Sequence, residues 1–128
     1  MVKKELSVRE RRKIFEDTIC IVAKTQKLSA SGREDRALAS LVRGQIDKCT
    51  NIIATSLGYR ESVIENDDGI KNKVYTSIIG QSEQTISKDL FTALVQRLPK
   101  EKALKETMWK AAVKNDKKAI AIFNEMVV

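Results

Sequence analysis

The stretch Glu61-Ser62-Val63-Ile64-Glu65-Asn66-Asp67-Asp68-Gly69-Ile70-Lys71-Asn72-Lys73-Val74-Tyr75-Thr76-Ser77-Ile78-Ile79-Gly80 decides the fold, and two readings compete for it. Ile70, Val74 and Ile78 recur at the spacing of one helix face. Against this, Asp68-Gly69 is a turn dipeptide between two β-prone runs, Ser62-Val63-Ile64 and Val74-Tyr75-Thr76. The periodicity favours a helix, with Asn66 to Gly69 as the loop before it, Asp68 near its cap and Gly80 at its end. On that reading the chain is all-α, a single-domain bundle of five or six helices over residues 1–128, and a β-hairpin over 61–80 is the alternative.

The segments on either side read as helices. Ser7-Val8-Arg9-Glu10 has the spacing of a capping box, in which hydroxyl and carboxylate each accept from the other residue's backbone N–H. Val8, Phe15, Ile19 and Val22, flanked by Ile14 and Ile21, then give an apolar face running to about Lys27. Leu28 to Gly32 is a break of small residues, and Ser31-Gly32-Arg33-Glu34 repeats the box. The next helix carries Leu38, Val42, Ile46, Cys49, Ile53 and Leu57 in steps of three and four, and Gly58-Tyr59 has the form of a left-handed C-cap.

Beyond the ambiguous stretch, Ser87 is a candidate N-cap, with Ile86 and Phe91 placed as a hydrophobic staple. Leu90, Phe91, Leu94, Val95 and Leu98 form the next apolar face, which Pro99 limits while offering itself as the first residue of the following helix. Leu104, Met108, Ala111 and Ala112 continue to Asn115-Asp116, and Ile120, Phe123 and Val127 mark a last helix.

Charge sets the expected function. The 128 residues hold 24 Lys and Arg, 17 Asp and Glu, and no histidine, a net charge of +7. Nucleophilic catalysis by Ser or Cys usually needs a nearby base, most often His, and no Lys or carboxylate spacing replaces it, so a noncatalytic binding protein is expected. No clustered glycines suggest a phosphate loop, and Asn66 to Gly69 lacks the alternating ligands and closing glutamate of a calcium loop, Tyr75 standing where the glutamate belongs. Cys20 and Cys49 have no neighbouring Cys or His to form a metal site. Two buried structural thiols are the simpler reading, a disulfide between neighbouring helices the other. No cofactor is expected. With no leader-like start and no apolar run long enough for a bilayer, a cytoplasmic location without membrane attachment is expected.

Two basic tracts are the candidate partner-binding surfaces. The first is Arg9, Arg11, Arg12 and Lys13; the second runs from Arg97 to Lys118 with eight basic and three acidic residues. In it Lys102, Lys105, Lys110, Lys114, Lys117 and Lys118 suit a broad acidic or phosphate field, and Trp109 beside them either seals the core or anchors an interface. Interspersed acids, and a Pro99 turn without the usual glycine of a helix-turn-helix, make an acidic protein at least as good a partner as nucleic acid, so a nucleic-acid-binding module and an inhibitor of another host or defence protein are the alternatives.

Lys4 to Phe15, reading KELSVRERRKIF, and Leu28 to Leu38, reading LSASGREDRAL, resemble the small RNA-polymerase-binding proteins of T-even-type bacteriophages. That resemblance implies a host-takeover factor, encoded by a phage and working in the host cytoplasm, that binds bacterial RNA polymerase and modulates transcription. It assigns no residue a role. The largely acidic surface it implies for the partner agrees with the charge of this chain.

Overall fold

Residues 61–79 form no helix, and Gly80, the expected end of one, lies outside the described residues. In the computed structural model, which describes residues 6–29, 36–79 and 82–127, β1 (Arg60–Glu65) turns back at Asn66–Ile70 into β2 (Lys71–Ile79), and β3 (Ser82–Ser87) adds along its other edge. The sheet is antiparallel in the order β1-β2-β3. The chain is therefore α+β, not all-α, with five helices and one three-stranded sheet among the described residues.

Local chemistry explains the outcome. Asn66 N–H donates to the carbonyl of Ile70 at 2.9 Å, while the Asn66 side-chain oxygen accepts from the backbone N–H groups of Asp68 and Ile70 at 3.0 and 2.9 Å. Gly69 supplies the positive φ, 78°, that closes a short hairpin loop. Once the chain turns, the β-branched residues on both sides suit extended backbone. The supposed helical stripe is split, with Ile70 and Ile78 exposed while Val74, Tyr75 and Ile79 are buried. Tyr75 pairs with Ile86, and both side chains enter the core.

The helices follow their sequence signals closely. α1 (Val8–Ser29) starts at the capping box: Glu10 N–H donates to Ser7 Oγ at 3.1 Å, and Ser7 N–H reaches the Glu10 carboxylate at 3.5 Å. The second box, Ser31 to Glu34, lies outside the described residues. α2 (Arg36–Ser56) ends at Gly58, φ 88°, where Tyr59 N–H donates to the Ala54 carbonyl and Gly58 N–H to that of Thr55. These bonds make a Schellman cap. α3 (Lys88–Arg97) starts on Ser87, whose Oγ accepts from Leu90 N–H. Pro99 lies in the turn after it, not at a helix start, and α4 (Lys102–Ala112) follows. Asn115, at φ 53°, then permits the reversal into α5 (Lys117–Val127), which Asp116 caps through Ala119 N–H.

One core joins the layers. Phe15, Val22, Ile53, Phe91, Met108 and Phe123 are buried together with Tyr75 and Ile86 of the sheet. α1 and α2 pack as a helical pair, and Tyr59, edge-on, and Tyr75, tilted, both pack against Phe91 at 5.2 and 5.0 Å between ring centroids. Cys49 is buried but Cys20 is exposed, and both are free thiols; Cys20 falls outside the Phe15, Ile19 and Val22 face that α1 turns inward. Among the described residues no helix is long and apolar enough to cross a membrane.

Candidate docking surface

The first turns of α1 meet α4 along a seam where aromatic, cationic and acidic side chains alternate. Phe15 and Trp109 lie 5.4 Å apart between centroids, tilted by 32°. The Arg12 guanidinium covers both rings, bonds Glu16 one turn along at 2.5 Å, and pairs with Glu106 across the seam. Lys105 closes the network on the other Glu16 oxygen at 3.1 Å. Burial alone would lower the Arg12 pKa, but hydrogen bonding and charge from Glu106, with help from Glu16, hold it above its ordinary value. Burial would likewise raise Glu16, yet the bond from Lys105 and the charges of Arg12 and Lys105 hold its carboxyl below the ordinary range.

This geometry divides the sequence-predicted residues. Arg12, Lys105 and Trp109 face the seam; Trp109 is only 4% exposed and the Lys105 side chain 18%. Arg11 points to the other flank of α1, where its Nε donates to the Ser56 carbonyl at 2.9 Å and so helps satisfy the end of α2. Arg9, Lys13, Lys102, Lys110, Lys114, Lys117 and Lys118 are all exposed and have no acidic partner among the described residues.

The nearby acids have other tasks. Glu10 completes the α1 capping box, Glu16 and Glu106 serve the seam, Glu101 takes Arg97 through two bonds of 2.6 and 2.9 Å, and Asp116 caps α5. Acids and bases that alternate in sequence are thus sorted in space. Five carboxylates are engaged in caps and internal pairs, Asp17 and Glu125 stay exposed, and seven cations face outward from α1, α4, α5 and the turn between the last two. Lysines dominate this face, and a flexible ammonium suits a broad anionic field more than a fixed bidentate match.

Other reactive groups are tied into the fold. Lys88 donates to Asp47 at 2.8 Å, and that bond chiefly raises its pKa, so it is an ammonium at neutral pH. Burial pushes the Cys49 thiol up, and the Tyr75 hydroxyl bonds Asn51. Among the described residues no group of His, Cys, Asp and Glu is placed to hold a metal ion.

One feature escaped sequence reasoning. Between the start of α1 and the end of α2 lies an open groove of about 620 Å³, walled by Leu6, Ile14 and Ile52 with Arg11 at its end. Its sequence signal was the surplus of apolar residues, Ile14 and Ile52, beside the stripes that build the core. No protein family, curated protein or solved structure matches the chain.

Proposed function

We propose that this chain is a noncatalytic docking protein that lays its α1, α4 and α5 cations on an acidic partner surface. Bacterial RNA polymerase is the partner implied by the resemblance of Lys4 to Phe15 and Leu28 to Leu38, and modulation of transcription is the outcome of docking. The observation that carries the reading is the sorting of charge: five acids near this face are engaged in caps and pairs, while Arg9, Lys13, Lys102, Lys110, Lys114, Lys117 and Lys118 stay free of acidic partners among the described residues. Such a field speeds encounter with an anionic surface and sets orientation.

The test is capture of purified bacterial RNA polymerase by the full chain, with nuclease present. Reversing Lys114, Lys117 and Lys118 to Glu, or Arg9 and Lys13 to Glu, is expected to weaken capture by about tenfold or more. Capture unchanged by both reversals, or absent from the start, sinks the reading. Arg11 and Arg12 are left alone because they hold the fold. A polymerase signal that disappears with nuclease, together with tight and steeply salt-dependent binding of unrelated DNA, transfers the face to nucleic acid.

A further inference from the structure

The opposite flank of α1 carries a different kind of surface. Leu6 is 51% exposed and Ile52 39%, and together with Ile14 they leave an apolar channel that nothing in the described fold covers. At its end stands Arg11, half-buried and fixed by the bond from its Nε to the Ser56 carbonyl. That bond leaves both Nη groups with no acceptor among the described residues. The fork is held in place and unfilled, and a partly desolvated guanidinium of this kind favours a carboxylate presented to both nitrogens.

Gly58 borders the arrangement. Its positive φ ends α2, and a Cβ there would stand 3.4 Å from Arg11 Nη2, in ordinary contact with the guanidinium. A second hollow shares Arg11 and Gly58 with the groove and is lined by Arg60 as well as Glu83.

We propose that this groove docks an amphipathic acidic segment of a partner protein, with a bulky apolar side chain between Leu6, Ile14 and Ile52 and a neighbouring carboxylate on the Arg11 fork. The acidic class of occupant rests on the docking reading above and on charge complementarity; a second copy of this chain would bring the same positive excess. The groove and the lysine face flank α1 on different sides, so they can engage one partner together while failing separately.

The probe is a fluorescein-labelled synthetic helical peptide with leucines at three- and four-residue spacing and glutamates beside them. It is titrated into the full chain by anisotropy and followed through the isoleucine methyl resonances. Binding is expected to move the Ile14 and Ile52 signals and to leave Ile120 and Ile122 of α5 in place. Ile52→Ser and Arg11→Gln are each expected to weaken binding roughly tenfold. Ile52 lies on the surface, so its variant tests the groove even if Arg11→Gln unfolds. A peptide with alanine for leucine, or lysine for glutamate, is expected to bind at least as weakly as the variants bind the parent peptide.

Binding that moves only the α5 signals, or that ignores Ile52→Ser, overturns the groove and leaves the lysine face standing. Concentration-dependent self-association that Ile52→Ser abolishes, without peptide binding, overturns it in favour of a second copy. Polymerase capture lost on lysine reversal but intact in Ile52→Ser supports the face alone. Peptide binding at the groove without polymerase capture rejects that partner while keeping the site.

Discussion

The guanidinium carbon of Arg12 lies 5.1 Å from the centroid of the Trp109 ring, and the same group pairs with Glu16 and Glu106. A residue that sequence assigns to a binding tract is thus a clamp between α1 and α4. Arg12→Ala is expected to destabilise the fold by about 1 to 3 kcal/mol, since it removes a partly desolvated cation–π contact, takes from Glu106 its partner across the seam and leaves Glu16 with Lys105 alone. The Arg12 side chain remains 28% exposed, so solvent screening favours the lower end. Arg12→Lys should recover only part of the loss, because an ammonium cannot cover both rings and take both acids. Urea midpoints of the three proteins check this.

Glu16 ties the seam to pH. Its carboxyl is held below the ordinary carboxylate range, so its contribution is present above the unfolded pKa and is lost as pH falls through the lower folded value. Stability measured from pH 7 down to about pH 3 should therefore fall less steeply in Glu16→Gln than in the parent chain. Parallel curves would remove Glu16 from the acid transition.

Two glycines of α2 and its cap should respond in opposite directions. Nothing lies within 4 Å of a Cβ added at Gly44, in mid-helix, so Gly44→Ala is expected to stabilise by about 0.5 to 1 kcal/mol. Gly58→Ala meets a φ of 88° and the Arg11 guanidinium, and should cost about 1 to 2 kcal/mol. Thermal midpoints decide both signs.

The two core tyrosines differ in the same way. The Tyr59 hydroxyl is buried with no hydrogen-bond partner among the described residues, and burial alone drives its pKa well above 10. Tyr59→Phe should leave stability unchanged or raise it by up to about 1 kcal/mol, whereas Tyr75→Phe frees Asn51 and should cost about 1 kcal/mol. A raised tyrosine pKa also means stability lost as pH climbs above 10, so the Tyr59→Phe protein should resist alkaline unfolding better.

The hairpin depends on one side chain. Asn66→Ala removes both side-chain bonds to the turn backbone and should cost about 1 to 2 kcal/mol, with faster amide exchange at Lys71 to Lys73 than in the helices. Uniform exchange acceleration across the molecule would mean that the turn is not an independent element.

Helix ends and helix faces were legible in the sequence because they are local. Ser7 with Glu10, Ser87 with Leu90, and Gly58 with Tyr59 all act within one turn of backbone, and the α2 stripe needs only a 3.6-residue period. Residues 61–80 were legible only as two alternatives. A short apolar run fits either period, and the choice was made by an Asn66 turn bond together with the pairing of Tyr75 beside Ile86, a contact that no window around Val74 contains.

The candidate surfaces divide along the same line. Composition by itself determined a basic chain without histidine, and with it the expectation of an anionic partner. Which cations are offered to that partner was decided only by tertiary structure. Arg12 and Lys105 are drawn inward by Glu16 and Glu106 across some ninety positions of sequence, Arg11 turns to the end of α2, and the other lysines of α4 and α5 remain outside. A charge's role depends on which opposite charge and how much water lie within a few ångströms, and folding alone sets both.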